Sequence, residues 1–291
     1  MTREEAVIRA LLSRSDVEAA AHALARNPEA PWAGLRAYID KYWPVFAGTE
    51  ADYARTYAVA GEHEAQHGAG PEILNQDARF TAVLHTVAAW GRLDGPLLDY
   101  GCGRGYYAVA LHNATGCEVL GYDIDVRSVE GATEHAQAAA RDPSVLRFAV
   151  GTHEHLRTDA PVCGAALVAE VLEHVRDYVA VIDAVEACLP DGAPVCVTVP
   201  YGPLEYNSWL CNPGKPREHL REFTRADLHE VFGAKLDVQM HGLKVATHPI
   251  IGDDGGIQIV TYRRDARRPT GTRNLDRVVD ECVPKPVALP F

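Results

Sequence analysis

A glycine-rich loop between a short apolar segment and a helix-like segment constrains this chain most. Residues 96–101 (PLLDYG) predict a strand that runs into Gly101, Gly103 and Gly105, and residues 106–115 (YYAVALHNAT) predict a helix directly afterwards. Glycines permit a tight turn and a close approach of ligand to backbone, and a helix N-terminus offers free N–H groups. The loop therefore predicts a nucleotide-type binding site on an α/β sheet.

Strand-like and helix-like segments alternate after residue 95, which is typical of a parallel sheet with right-handed crossovers. The further predicted strands are 118–125, 146–151, 164–170, 193–200, 236–243 and 256–263. The predicted helices between them are 126–140, 177–189 and 224–233, the last with Thr224 as a plausible N-cap.

The first 94 residues show helical periodicity and no strand signal. They predict helices over 3–26, 31–47 (broken or kinked at Pro44), 50–60 and 76–91. We expect three parts: a helical cap that binds the acceptor (1–94), a core (95–262) and a C-terminal tail (263–291).

Two interpretations are open for the aromatic residues of the cap, and two for its polar residues. The aromatic residues either line an acceptor pocket or pack between helices, and packing is the favoured reading; they are Trp32, Tyr38, Tyr42, Trp43, Tyr53 and Tyr57. The polar residues either meet the acceptor or lie in a solvated loop, which is the favoured reading; they are Glu62, His63, Glu64 and His67.

The charge distribution argues against a general nucleic-acid binder. The net charge is −12, and residues 95–262, with 23 acidic and 12 basic residues, carry −11 of it. Nucleic-acid binders present a basic face instead. Residues 263–291 carry +3, and their arginines either meet a phosphate or an acidic partner or, by default, form a solvated tail.

No targeting or membrane feature is expected. The sequence has no run of about 18 apolar residues and no secretory signal at its start. Its seven cysteines form no CxxC pair, which indicates free thiols in a reducing cytoplasm. Cys163, Cys188 and Cys196 lie in apolar stretches and read as small buried hydrophobes.

Carboxylates beside the glycine loop indicate the kind of ligand. Asp99 lies two residues before Gly101, where it would repel a pyrophosphate but suit a cation such as an ammonium or a sulfonium. Tyr106 stands where the dinucleotide fingerprint needs its third glycine, so an NAD-dependent dehydrogenase is disfavoured. Asp123, at the end of the second strand, is placed to accept the hydroxyls of a ribose. His153 and Glu154, which follow the third strand, are candidate adenine contacts.

Five segments in order resemble the class I S-adenosylmethionine-dependent methyltransferases over residues 95–262. They are LLDYGCGRGYYAVAL, VLGYDID, AEVLEHV, LPDGAPVCVTVP and REHLREFTRADL. The resemblance implies an α/β, Rossmann-like seven-stranded sheet with a reversed last hairpin, and S-adenosylmethionine as cofactor. It also implies that Asp99 and the Gly101–Gly105 loop hold the methionine part and that Asp123 holds the ribose.

Glu170, Glu173 and His174 form an E-x-x-E-H pattern that one helical turn would place on one face. Two carboxylates and an imidazole suit a divalent cation; oxygen ligands favour Mg or Mn, and the imidazole shifts the preference toward Mn, Fe, Co or Zn. The pattern is also compatible with a solvated helix start, where glutamates are favoured by the helix dipole.

The same pattern resembles two branches of the family in which this segment binds a metal: the small-RNA 3′-terminal 2′-O-methyltransferases and the ubiquinone-biosynthesis O-methyltransferases. The first branch continues with TPN, EYN and H-x-F-E-W-T-R, which match 198–201, 205–207 and 219–225 with departures. The resemblance implies that His219 is the fourth metal ligand. The sequence departs from the motifs of this branch at three positions: Tyr201 stands in place of Asn, Arg221 in place of Phe and Phe223 in place of Trp.

We therefore expect an S-adenosylmethionine-dependent methyltransferase that acts on a hydroxyl of a sugar-like, polyhydroxylated or aromatic small molecule, with a divalent metal orienting it. His174 and His219 are the candidate catalytic proton acceptors. An RNA 2′-O-methyltransferase and a non-catalytic S-adenosylmethionine-binding module stay open as alternatives. Nucleic acid is disfavoured as a partner but not excluded, no membrane partner is expected, and a homodimer stays open.

Overall fold

The computed structural model describes residues 1–14, 16–48, 78–159, 161–200, 219–243 and 257–281. Several predictions lie outside these residues: the helix over 50–60 with Tyr53 and Tyr57, the polar residues from Glu62 to His67, and the segment 205–207.

A seven-stranded sheet forms the centre of the protein. Its strands are β1 (Leu97–Tyr100), β2 (Val119–Asp123), β3 (Leu146–Val150), β4 (Ala165–Ala169), β5 (Pro194–Pro200), β6 (Leu236–Leu243) and β7 (Ile257–Arg263). They are ordered β3-β2-β1-β4-β5-β7-β6. Strands β1 to β5 are parallel, whereas β7 runs antiparallel to both β5 and β6. The predicted α/β sheet with a reversed last hairpin is confirmed.

Helices cover both faces of the sheet, because alternate strand residues point to opposite sides. Leu98 and Val168 join one apolar cluster, and their neighbours Leu97 and Leu167 join the other. Thr224 caps its helix through a capping box with Asp227, as predicted. The helices are α4 (Ala78–Ala88), α5 (Tyr106–Thr115), α6 (Val126–Ala139), α7 (His153–Asp159), α8 (Tyr178–Ala187) and α9 (Arg225–Phe232), with a 3₁₀ turn at Pro143–Val145.

The N-terminal helices differ from their predictions. Residues 3–26 form two helices, α1 (Arg3–Arg14) and α2 (Val17–Arg26), because buried Asp16 caps α2 by accepting from the Ala19 N–H. The prediction of one helix there was wrong. Helix α3 (Ala33–Ala47) is continuous through Pro44, so the predicted break does not occur.

Helices α1 to α3 and the C-terminal α10 (Leu275–Glu281) share an apolar cluster of their own, separate from the two sheet clusters. Trp32 and Tyr38 are buried in it, which confirms the helix-packing reading for these two aromatic residues. Helix α4 packs on the sheet instead: its Val83 and Val87 belong to a sheet cluster. The division at residues 94 and 95 stays a prediction.

Five of the C-terminal arginines make ion pairs, and the expectation of a solvated tail was wrong for Arg273, whereas Arg263, Arg267 and Arg268 are exposed as expected. Arg273 is 1% exposed and donates to both carboxylate oxygens of Asp16, 257 residues away, at 2.8 Å. The other pairs are Arg264 with Asp191, Arg267 and Arg268 with Asp265, and Arg277 with Asp227 and Glu230. This segment fastens the N-terminal helices to the core.

Two further expectations concern cysteines and membranes. Cys163, Cys188 and Cys196 are buried free thiols, as predicted. Burial raises the pKa of the Cys163 and Cys196 thiols to about 12, so they are inert at neutral pH.

Within the described residues, no helix is both long and apolar enough to cross a bilayer.

Candidate active site

The glycine loop folds across the ends of β1 and β2. The N–H groups of Gly101 and Cys102 both donate to the Tyr122 carbonyl oxygen, at 2.7 and 3.0 Å. The N–H of Gly103 donates to Oδ2 of Asp123 at 2.8 Å. Since parallel strands end at one edge, the loop and the Asp123 carboxylate meet where ligands bind in such sheets.

The three loop glycines have positive φ angles, but they meet different surroundings. A Cβ at Gly101 would lie 2.3 Å from the Val171 side chain, and one at Gly105 would lie 3.0 Å from Ala132. At Gly103 no atom of the described residues lies within 4 Å of that position. Packing thus requires Gly101 and Gly105, whereas Gly103 leaves room for a ligand against the backbone.

Asp99 is 1% exposed at the end of β1, and its Oδ2 accepts no hydrogen bond from the described residues. Burial, with a smaller contribution from the Asp123 carboxylate, raises the pKa of Asp99 to about 7. A buried carboxylate oxygen without a donor favours a cationic ligand. Asp99 therefore fits the ammonium and sulfonium of S-adenosylmethionine.

Asp123, half-buried at the end of β2, accepts from backbone N–H groups on both sides. Its Oδ1 accepts from Asp125 at 2.9 Å, and its Oδ2 accepts from Gly103. Carboxylate oxygens are acceptors, which suits the pair of hydroxyls that a ribose presents. The Gly151 N–H donates to the Asp123 carbonyl at 2.8 Å, so the end of β3 adjoins this site.

His153 and Glu154 begin α7, a helix that the sequence did not predict. His153 is half-buried and Glu154 is exposed. Their contact with an adenine stays a prediction.

Glu173, His174 and His219 converge beyond the end of β4, with one potential ligand atom from each within 4.8 Å of the others. Oε1 of Glu173 lies 3.7 Å from Nε2 of His174 and 4.0 Å from Nε2 of His219. The two imidazole rings pack edge to face at 4.4 Å between centroids. Glu173 is 0% exposed, while the histidine side chains are about 15% exposed. The segment 219–220, which is remote in sequence, is held there because the Leu220 N–H donates to the Glu173 carbonyl at 2.8 Å.

Glu170 lies outside this trio. Its Oε1 accepts from Oγ1 of Thr198 at 2.8 Å, and its Oε2 accepts from Nη1 of Arg79 at 3.0 Å. Its backbone has a φ of 56°, and residues 172–174 form a turn, so the helical face expected for Glu170, Glu173 and His174 was wrong. Arg79 was missed because 91 residues separate it from Glu170 and no local pattern marks it.

A comparison with known families decides the class of the protein. The model of a methyltransferase domain matches residues 74–236, more than half of the chain. The chain belongs to the class I S-adenosylmethionine-dependent methyltransferases. The strand order, the reversed β7 and the glycine loop after β1 agree with that membership.

Relatives of this methyltransferase include enzymes with different acceptors. It is 28% identical over 121 residues to a ubiquinone biosynthesis O-methyltransferase of Psychrobacter arcticus, across 41% of this chain and 47% of that protein. It is 32% identical over 111 residues to a ribosomal protein L11 methyltransferase of Pseudomonas putida, across 35% and 36%. The match thus spans about half or less of these relatives.

A solved structure shares the fold of the methyltransferase. It is a complex between the Haloferax volcanii Trm112 methyltransferase activator and a methyltransferase, with a TM-score of 0.52 and 16% identity. The superposition covers 74% of this chain and 97% of that one. At this identity the likeness concerns the fold alone.

Proposed function

We propose that this protein transfers the methyl group of S-adenosylmethionine to a hydroxyl of a small sugar-like, polyhydroxylated or aromatic molecule, with a divalent cation at Glu173, His174 and His219. The convergence of these three side chains beside the cofactor loop carries the proposal. The cofactor loop and the trio adjoin, because Gly101 of the loop packs against Val171, which directly precedes the turn that holds Glu173.

The donor set of the trio fits a divalent cation. One carboxylate and two imidazoles form a three-residue set, as catalytic metal sites often have, and such a set leaves positions for acceptor oxygens. With two imidazoles, Mn, Fe, Co or Zn fits better than Mg. Glu170 was expected as a further ligand; its contacts with Arg79 and Thr198 favour a site of three residues.

The reaction needs a nucleophile and a place for its proton. The acceptor oxygen attacks the methyl carbon in line with the C–S bond, that bond breaks, and the sulfonium becomes the neutral thioether of S-adenosylhomocysteine. A divalent cation in the trio would supply a Lewis acid that lowers the pKa of the acceptor hydroxyl and orients it. His174 or His219 can take the proton if it is not itself a ligand, because an imidazole that binds a metal through one nitrogen carries a hydrogen on the other. If both bind the cation, the proton leaves to water.

Charge supports a small acceptor over RNA. Residues 95–262 carry −11, and Arg264, Arg273 and Arg277 of the basic segment are engaged in ion pairs. The curated relatives with "O-methyltransferase" in their names support oxygen as the methylated atom.

An assay of S-adenosylhomocysteine release tests the proposal. We expect turnover with catechols or polyols, none with RNA oligonucleotides, loss of turnover in EDTA and its recovery with Mn²⁺. His85→Ala, on the exposed side of α4, serves as a control that keeps both activity and EDTA sensitivity. Salt-dependent RNA methylation would favour the RNA alternative, and donor binding without turnover on any acceptor would favour a non-catalytic module.

A further inference from the structure

Arg221 is buried directly behind the turn that carries Glu173 and His174. Its side chain is 0% exposed, although the guanidinium is always charged. Nη1 donates to the carbonyl oxygens of Leu172 and Val175 at 3.3 and 2.5 Å, and Nη2 donates to that of Arg176 at 2.8 Å. One side chain thus binds three carbonyls on both sides of the Glu173–His174 pair.

The charge of Arg221 is balanced by groups from outside the core. Its Nε donates to Oε2 of Glu18 on α2 at 3.3 Å, and the same oxygen accepts from Nη2 of Arg273 at 3.2 Å. Its guanidinium lies over the Tyr178 ring, 5.1 Å from the centroid. The N-terminal and C-terminal segments therefore meet at the side chain that holds the turn.

We propose that Arg221 is a positioning residue, which holds the 172–174 turn and the two residues after it so that Glu173 and His174 face His219. This inference rests on the proposed function for its catalytic meaning, although its structural content can be tested alone. Arg221 lies two residues after His219. One short segment therefore supplies both His219 and the side chain that holds Glu173 and His174 in place.

The fork of the guanidinium explains why this position needs arginine. Carbonyls that point at one another from a turn repel, and a planar cation with donors in fixed directions can satisfy several of them together. A lysine keeps the charge but offers one ammonium at the end of a flexible stem, which cannot reach three carbonyls in those directions. The turn in Arg221→Lys would lose part of its bonding while its charge balance with Glu18 stays.

Arg221→Lys and Arg273→Lys make a matched pair for the test. Both guanidiniums are 1% exposed or less and both contact Glu18. Arg221 donates to carbonyls of the turn, whereas Arg273 donates to Asp16 and to the Glu222 carbonyl. We expect similar losses of melting temperature in both. Hydrogen exchange then measures the exchange rates of two backbone amides. The His174 N–H donates to the Val171 carbonyl, and the Leu220 N–H donates to the Glu173 carbonyl.

We expect faster exchange of these two amides in Arg221→Lys alone, together with a Kd for Mn²⁺ that is weaker by about 10- to 100-fold. Unchanged S-adenosylhomocysteine binding in both variants would show that the cofactor site is intact. Equal effects of the two variants, or no effect of Arg221→Lys on the amides, would overturn the positioning role. If the amides respond but the wild type binds no Mn²⁺, the positioning role stands and the metal proposal fails.

Discussion

Asp99→Asn is expected to weaken S-adenosylmethionine binding while it stabilises the ligand-free protein. The neutral amide cannot attract the ammonium and sulfonium of the cofactor into the buried end of β1. The loss of a charge-assisted contact corresponds to about 3 kcal/mol, or roughly 100-fold in Kd. Isothermal titration with S-adenosylmethionine at pH 7.5 measures it.

The stability effect of Asp99→Asn has a definite pH dependence. The pKa of Asp99 rises from 3.8 to about 7 on folding, so this residue favours the folded state most below pH 4 and loses that contribution as the pH rises through 7. At pH 8 the buried ionised carboxylate costs about 4 kcal/mol, which the substitution removes. Thermal melts should therefore show a stabilisation that is small at pH 4 and largest at pH 8.

Cofactor binding should follow the same ionisation. Since the cation binds the ionised form of Asp99, wild-type affinity should fall by up to tenfold per pH unit below about 7, whereas Asp99→Asn should show little change. Asp125→Asn is the control, because Asp125 is also buried but its carboxylate caps α6. Wild-type affinity for the cofactor in Asp99→Asn would contradict the assignment of Asp99 to the cation.

Glu173→Gln is expected to lower kcat by about 100-fold or more without changing the affinity for S-adenosylmethionine. The substitution keeps the size of the side chain but removes the negative charge beside the two imidazoles. Without that charge the trio binds a divalent cation weakly, and the acceptor hydroxyl is neither oriented nor acidified. The measurements are steady-state turnover, the Mn²⁺ requirement and cofactor titration on the same preparation.

Glu186→Gln is the matched control for this prediction. Glu186 is also buried and holds Lys235 and Tyr262 through hydrogen bonds, but it lies near the end of α8, at the opposite edge of the sheet. We expect a loss of stability and a kcat close to wild type. Full turnover by the Glu173→Gln enzyme would contradict a catalytic role for Glu173, His174 and His219.

The sheet and the cofactor loop were predictable because their signals are local. A strand that ends in glycines, followed by a helix, needs only adjacent residues to be recognised, and Asp99 and Asp123 have fixed places in that unit. The reversed β7 came from the family resemblance.

The errors came from contacts between distant residues. Asp16 interrupts the predicted helix 3–26 because it caps α2 and pairs with Arg273, which no local pattern reveals. The same pairing buries Arg273, which was expected in a solvated tail.

The candidate site was predictable only in part, because some of its contacts join residues that are distant in sequence. Glu173, His174 and His219 are brought together, as the motif resemblance implied, but Glu170 turns toward Arg79 and Thr198. Arg221 appeared in the sequence only as a departure from the family pattern. The arginine in place of an apolar phenylalanine was the available signal. The carbonyls to which Arg221 donates could be identified only from the structure.

The most direct measurement is anomalous diffraction from crystals grown with Mn²⁺ and S-adenosylhomocysteine. We expect one strong manganese peak bound by Glu173, His174 and His219, with the ammonium of the ligand beside Asp99. A well-ordered S-adenosylhomocysteine with no manganese at these three side chains would contradict it.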